Sequence, residues 1–208
     1  MNNNKFLSWF VPLLCVVGAI VISDKLANYS GAPKAVGNPF ALSENEPPGI
    51  YPNYDLTPGT TNPDITQENI KDNICNPAWS TKSIRPSTAY TGPLKIKLMK
   101  EYGLTDAPAG YELDHLISLE LGGNPKDEKN LWPEKYDITG FIAGVSIKLG
   151  AREKDRVENY LHREVCSGNM PLVQAQSMAV NNWVDVYELI IKNTGSTDSA
   201  DISTSDDE

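Results

Sequence analysis

The chain has only two histidines, and each lies beside carboxylates that could share its chemistry. His115 directly follows Asp114, at the start of the alternating run LISLEL. Glu158 and His162 are four residues apart, a spacing that places both on one face of a helix and suits chelation of a metal ion. A neutral imidazole can accept a proton near pH 6.5, so the pattern indicates acid–base catalysis, metal binding or both.

The segments around these residues predict a hairpin followed by helices. An alternating strand pattern runs through YELDHLISLEL, turn residues fill GGNPKDEK, and a second strand begins at NLW. Caps, early prolines, closing glycines and apolar spacing predict helices in DITQENIKDNIC, TGPLKIKLMKEYG, AREKDRVENYLHREVCSG and NMPLVQAQSMAVNNWVDVYELII. The predicted fold class is α+β, in which a small β-hairpin and a helix pack with several additional helices.

The hairpin part of this pattern resembles the HNH (ββα-metal) nuclease motif. The matching residues are Asp114-His115, the Gly122-Gly123 turn, and Asn130-Leu131 in NLW. Over about 70–190 the chain is also similar to a group of exported bacterial proteins that carry an HNH-like core. The resemblance implies hydrolysis of phosphodiester bonds in DNA or RNA, with a divalent metal ion (Mg, Mn or Zn) as cofactor.

The same resemblance assigns roles to individual residues. It implies that His115 is the general base, that Asp114 is a metal ligand, and that Asn130 braces the loop and orients the base. The family completes its metal site from the following helix, where helical spacing points to Glu158 and His162 as the remaining ligands. The insertion PEKYDITGFIAGVSIKLGA before this helix departs from the compact family pattern.

Three functions remain open on the sequence alone. The first is a metal-dependent HNH-like nuclease, the second a catalytically inactive HNH-like binding module of the cell envelope, and the third a purely structural domain. Residues 64–192 contain 15 basic and 18 acidic side chains, whereas duplex binding depends on basic surfaces. A nuclease is therefore expected to be weak and non-specific, with a local basic rim formed by Lys95, Lys97, Lys100, Lys126, Lys129, Arg152 and Arg156.

Composition divides the chain into four parts. Residues 1–27 contain the apolar run FLSWFVPLLCVVGAIVI and are predicted to be a signal peptide or a membrane anchor. Residues 28–63 hold seven of the fifteen prolines and are predicted to be a disordered linker. Residues 64–192 are predicted to form the HNH-like domain, and residues 193–208 to form a disordered acidic tail. The protein is expected to be exported, and to be periplasmic, membrane-anchored or extracellular; no protein partner follows from the sequence.

Export changes how the cysteines are interpreted. Cys15 lies in the apolar run, which leaves Cys75 and Cys166 as an even pair in an oxidising compartment. Such a pair favours a disulfide over two unpaired buried thiols. The bond would close a loop of about 90 residues and stabilise the fold by roughly 4 kcal/mol in the chain-entropy model.

Overall fold

The computed structural model describes residues 49–142 and 145–194, and within them the protein is α+β. Four α-helices and two antiparallel hairpins form its regular structure, which confirms the predicted fold class. The helices are α1 (Thr88–Glu101), α2 (Ala151–Cys166), α3 (Leu172–Asn181) and α4 (Trp183–Thr194). The strands are β1 (Tyr111–His115), β2 (Leu131–Lys135), β3 (Ile138–Ile142) and β4 (Val145–Leu149).

The first hairpin forms where the sequence predicts it, although its first strand is shorter. β1 and β2 pair antiparallel over five residues each. The alternating pattern predicted a strand as far as Leu121, but Leu119–Leu121 forms a 3-10 turn instead. One face of the hairpin packs on α1 through an apolar cluster of Leu94, Leu98, Leu113 and Leu131.

The helix predicted in DITQENIKDNIC is wrong. Only Ile70–Asp72 is helical, as a single 3-10 turn. Asparagine side chains take the place of the helical hydrogen bonds: Asn69 Oδ1 accepts from the Thr66 amide at 2.9 Å, and Asn73 Oδ1 accepts from the Ile74 amide at 2.8 Å. Short amide side chains compete with the backbone in this way, so a helix is not favoured here.

The predicted disordered linker is wrong for its last part. Residues 49–63 are ordered, and 28–48 lie outside the described residues. Ile50 is buried, and its carbonyl accepts a hydrogen bond from Trp183 Nε1 at 3.1 Å. The amides of Gly59 and Asn62 donate to the carbonyls of Lys129 and Gly122. Proline and asparagine content alone did not reveal that this segment finds partners on a distant part of the fold.

The insertion after β2 forms a second hairpin that the sequence did not predict. β3 and β4 pair antiparallel from Ile138 opposite Leu149 to Ile142 opposite Val145. Leu149 is buried next to the start of α2, whereas Phe141 is 67% exposed at the far end. Phe141 of the insertion is therefore exposed, while α2 still contacts the first hairpin through Lys154 and Asp114.

The helices after the hairpins supply about half of the buried hydrophobic residues. α2 matches its prediction and buries Val157, Leu161 and Val165 on one side. The single helix predicted over NMPLVQAQSMAVNNWVDVYELII is two helices, because Asn182 leaves the helical conformation with φ −143°. Both helices, one on either side of this break in the chain, contact α2.

Cys75 and Cys166 form a disulfide, as predicted, with their Cα atoms 5.3 Å apart. The bond joins the segment after the 3-10 turn to the C-terminal end of α2. Both cysteines are half-buried, so the bond lies close to the surface.

Removing this disulfide is expected to lower the free energy of unfolding by about 2–4 kcal/mol, because it closes a loop of 91 residues. A double Cys75→Ser, Cys166→Ser variant should therefore melt roughly 10 °C lower than the wild type. Thermal unfolding followed by circular dichroism measures the change, and dithiothreitol should lower the melting temperature of the wild type but not of the variant. Equal melting temperatures for oxidised and reduced wild type would contradict the expectation.

None of the helices between 49 and 194 is long and apolar enough to cross a membrane. The predicted signal or anchor, residues 1–27, lies outside the described residues, and so does 195–208 of the predicted acidic tail.

Candidate functional site

A cluster of carboxylates lies on the face of the first hairpin that meets α2. Glu112 and Asp114 are two residues apart on β1, so their side chains share one face of the strand. Glu134 of β2 lies directly opposite Glu112 in the strand register. Carboxylate oxygens of these three residues all lie within 4.8 Å of one another. Strand pairing therefore assembles a group that is dispersed in the sequence.

The ammonium group of Lys154, on α2, lies beside this cluster. Its Nζ donates to Asp114 Oδ2 at 2.6 Å and to the carbonyl oxygen of His115 at 3.2 Å, and it also contacts Glu158 Oε1. Glu134 Oε2 lies 4.0 Å away, beyond hydrogen-bond distance. The Lys154 side chain is only 1% exposed. It is a buried counter-ion that links α2 to the end of β1.

Burial and the lysine charge act in opposite directions on these acids. Burial alone would raise the pKa of Asp114, but the Lys154 charge and the hydrogen bond that Lys154 donates outweigh it and lower that pKa. Burial raises the pKa of Glu134 and of Glu158 well above the usual range, despite the opposing effect of Lys154. The cluster therefore contains a Lys154–Asp114 ion pair and two carboxyl groups whose charged forms are disfavoured.

Replacing Glu134 with glutamine is expected to stabilise the metal-free protein at neutral pH. A carboxyl group whose pKa is raised on folding contributes stability that is fully present below about pH 4.5 and is lost as pH rises through the raised pKa. A tenfold change in proton affinity corresponds to about 1.4 kcal/mol. In EDTA, the melting temperature of Glu134→Gln should therefore increase relative to that of the wild type as pH rises from about 4.5 to 8. An exposed control, Glu101→Gln, should show no such divergence, and a parallel pH dependence for Glu134→Gln would refute the expectation.

His115 lies at the end of β1, where it lines the same cavity as Asp114. The residue is 5% exposed, and its Nε2 is 3.1 Å from the Pro125 carbonyl oxygen. Because a carbonyl can only accept a hydrogen bond, this contact assigns the proton of the neutral ring to Nε2 and leaves the lone pair on Nδ1. Burial lowers the pKa of His115, more than Asp114 raises it. A neutral imidazole of fixed tautomer is the form that a general base requires.

Asn130 braces the loops next to this histidine. It is fully buried, and its Oδ1 accepts from the amides of Ile117 at 3.0 Å and Thr60 at 3.3 Å. Its Nδ2 donates to the carbonyls of Ile117 at 3.0 Å and Asn124 at 3.1 Å. Asn124 precedes the proline whose carbonyl contacts His115, so Asn130 acts on the base through this loop.

The two glycines of the turn are required for different reasons. Gly122 has φ +73°, in the left-handed region that favours glycine. A Cβ atom on Gly123 would lie 1.7 Å from the Ile117 carbonyl oxygen and 2.9 Å from Asn130 Nδ2. The second glycine therefore allows the turn to pass directly against the Asn130 brace.

A polar cavity of about 200 Å³ opens beside the end of β1. Two exposed arginines, Arg85 and Arg152, line it together with His115, Asp114 and Tyr136. Arg85 lies close enough for its charge to contribute to the lowered pKa of His115. Guanidinium groups bind phosphate oxygens through paired hydrogen bonds. The cavity thus brings a neutral imidazole together with two cations suited to a phosphate group.

His162 faces a different part of the protein. Its Nε2 is 2.7 Å from the Ile74 carbonyl oxygen, and its Nδ1 is 3.7 Å from Glu120 Oε2. With the Cys75–Cys166 disulfide it lines a second cavity of about 210 Å³, whereas Asp114 and Glu158 line the first. The structure brings Asp114 and Glu158 together around Lys154 and places the His162 ring elsewhere.

The divalent ion implied by the HNH resemblance does not fit the predicted ligands Asp114, Glu158 and His162. The Lys154 ammonium already joins the first two, and both ring nitrogens of His162 face other groups. Among the described residues, two groups have the spacing of metal ligands. One group consists of His162 and the two cysteines, but the cysteine sulfurs are already bonded to each other in the disulfide. The other group consists of the three strand carboxylates, Glu112, Asp114 and Glu134.

Sequence reasoning missed Glu134 and Arg85. Glu134 could have been placed by extending the NLW strand and aligning it against YELDH, whereas nothing near Arg85 points to the site. Of the predicted basic rim, Arg152 lines the cavity, but Arg156 is buried and donates to Tyr187 Oη at 2.9 Å. Lys97 pairs with Glu128 at 2.5 Å. The local positive charge is smaller than the sequence suggested.

No protein-family model matches the chain, and neither a curated protein nor a solved structure matches it. The HNH resemblance therefore stays a prediction from the sequence, and a functional conclusion depends on the geometry of the first hairpin, α2 and the cavity that they line.

Proposed function

We propose that the protein is a phosphodiester hydrolase that acts on DNA or RNA, with His115 as its general base. The observation that carries this proposal is the cavity in which a buried imidazole of fixed tautomer meets two exposed arginines. This combination supplies a proton acceptor and two guanidinium groups beside it, both of which promote attack of water on a phosphodiester.

In the proposed reaction, Nδ1 of His115 takes a proton from the water that attacks phosphorus. Arg85 and Arg152 bind the non-bridging phosphate oxygens and stabilise the charge that develops on them. The low pKa of His115 keeps the ring neutral near pH 7, which is the state able to accept the proton. The P–O bond to the leaving oxygen breaks as the new P–O bond forms, and the leaving oxygen takes a proton from solvent.

Three groups hold the base in position but do not touch the substrate. Lys154 donates to the His115 backbone carbonyl, and the Pro125 carbonyl fixes the imidazole. Asn130 holds the loop that carries Pro125 through the Asn124 carbonyl. These residues are positioning residues, and their effect on the reaction is indirect.

We also propose that the protein acts outside the cytoplasm. The Cys75–Cys166 disulfide supports this location, because disulfides persist in oxidising compartments. Weak, non-specific binding is expected, because the folded part has slightly more acidic than basic residues and depends on two arginines at the cavity.

One observation favours the alternative, a catalytically inactive HNH-like module of the cell envelope. The Lys154 ammonium lies between Asp114 and Glu158, where the HNH resemblance implies a catalytic cation. Such a module would keep the fold and the cavity but would not cleave phosphodiesters.

Replacing His115 with alanine is expected to reduce phosphodiester cleavage by about 10²–10⁴-fold, the usual effect of removing a positioned base. The measurement is nicking of plasmid DNA and cleavage of single-stranded RNA by the full chain, with Mg²⁺, with Mn²⁺ and with EDTA. His162→Ala is the matched control and should retain wild-type activity, because that ring lines the other cavity.

Two results would contradict the proposal. Undiminished cleavage by His115→Ala would exclude the histidine as the base. A wild type that cleaves neither DNA nor RNA under any of these conditions would favour the inactive module instead.

A further inference from the structure

The acidic cluster on the first hairpin brings several carboxyl groups close to a single ammonium group. Glu112, Asp114 and Glu134 have oxygens within 4.8 Å of one another, and Glu158 contacts the same lysine. Three of these side chains, those of Asp114, Glu134 and Glu158, have an oxygen within 4.0 Å of the Lys154 ammonium group. Like charges that lie directly opposite on paired strands destabilise the pair, and Glu112 lies opposite Glu134.

Glu134 is the member of the cluster whose oxygens have no hydrogen bond. Its side chain is 2% exposed, and both Oε1 and Oε2 are buried without a hydrogen-bond partner. Lys154 is hydrogen-bonded to Asp114, to Glu158 and to the His115 carbonyl, which uses all three of its donors. Buried carboxylate oxygens are normally satisfied by a donor or a cation, so those of Glu134 point to a ligand at this place.

We infer that Glu112, Asp114 and Glu134 bind one hard divalent cation on the hairpin face, next to His115. This ligand set comes entirely from the paired strands and uses neither Glu158 nor His162. Three carboxylates offer only oxygen, which favours Mg²⁺, Mn²⁺ or Ca²⁺ over Zn²⁺. Lys154, 2.6 Å from Asp114 Oδ2, then neutralises the remaining charge from the helix side.

The inference deepens the proposed function and rests on it only for the role of the ion. A cation held by Asp114 lies beside the general base, and two of its proposed ligands, Glu112 and Asp114, line the cavity that contains the arginines. Binding of the ion can be measured without any substrate, so the two proposals can fail separately.

The test is Mn²⁺ binding by the full chain, followed by electron paramagnetic resonance of free Mn²⁺ and by calorimetric titration, with Ca²⁺ and Zn²⁺ compared. One Mn²⁺ per chain is expected, and Glu134→Gln should weaken binding at least about tenfold. Glu153→Gln is the matched control, because Glu153 is a similarly buried acid of α2 outside the cluster. Glu153→Gln and His162→Ala should both bind within about twofold of the wild type. Melting temperatures of all variants in EDTA establish that each is folded.

Several outcomes would overturn the inference. The first is that the protein binds none of Mn²⁺, Mg²⁺ and Ca²⁺ at pH 8, which would mean that protonation of the carboxyl groups neutralises the cluster. The second is that Glu134→Gln binds Mn²⁺ as tightly as the wild type. Loss of binding in His162→Ala alone would support the ligand set predicted from the sequence instead. If the cation binds as expected but no substrate is cleaved, the cation site stands and the hydrolase is refuted. If the protein cleaves in EDTA and binds no cation, the hydrolase stands and the cation site is refuted.

Discussion

Replacing Lys154 with methionine is expected to lower the free energy of unfolding by about 3–5 kcal/mol, the usual effect of removing one partner from a buried ion pair. The methionine fills a similar volume but leaves Asp114 and Glu158 without their counter-ion. At this chain length, a loss of that size corresponds to a melting temperature roughly 10 °C lower. Thermal and urea unfolding of the full chain measure it.

Acidification should reduce the defect. Protonation removes the uncompensated charge of the carboxylates, so the difference between Lys154→Met and wild type should narrow as pH falls towards about 4.5. Lys148→Met is the matched control, since its ammonium forms an exposed pair with Asp137 at 3.4 Å and should change stability by less than about 0.5 kcal/mol. A Lys154→Met variant that melts with the wild type would show that the lysine is not the counter-ion of the cluster.

An Asn130→Ala variant is expected to lose about 4 kcal/mol, because it leaves the amides of Ile117 and Thr60 and the carbonyls of Ile117 and Asn124 without their partner. Each buried group left unsatisfied costs about 1–3 kcal/mol, partly offset where water enters. Urea unfolding gives the change in stability. Asn169→Ala, which removes only an exposed bond to Glu164, is the control and should be nearly neutral.

Asn130 should also affect cleavage beyond its effect on stability. The carbonyl that holds His115 belongs to the residue after Asn124, so loss of the brace frees the loop that fixes the imidazole. Cleavage by Asn130→Ala should therefore fall at a temperature where the variant is fully folded. Wild-type activity under those conditions would mean that the loop keeps its position without the asparagine.

Features that depend on local patterns could be predicted from the sequence. The alternation in YELDH, the Gly-Gly turn and the amphipathic spacing of AREKDRVENYLHREVC locate β1, the turn and α2, and the cysteine count locates the disulfide. Asn130 was placed by the HNH resemblance, and the structure shows the four hydrogen bonds that explain its position.

The features that sequence reasoning missed depend on register and on side-chain direction. Glu134 joins Glu112 only because β2 continues through proline to Lys135 and pairs in one particular register. His162 is one turn from Glu158, yet its ring points to Ile74, a contact between residues 88 positions apart. Helical spacing fixes the face on which a residue lies but not the partner that tertiary packing provides.

The contacts of residues 49–63 determine when the fold can be completed. Ile50 and Tyr54 bond to Trp183 and Val180, which lie 133 and 126 positions later in the chain. Contacts of such long range require closure of a large loop before they contribute energy, and folding rates fall as they come to dominate. During synthesis from the N-terminus, Tyr54 and Ile50 cannot form these two bonds until α3 and α4 have emerged. Oxidation of Cys75 with Cys166 shortens the loop still to be closed, so the folding rate, as well as the final stability, is expected to depend on the disulfide.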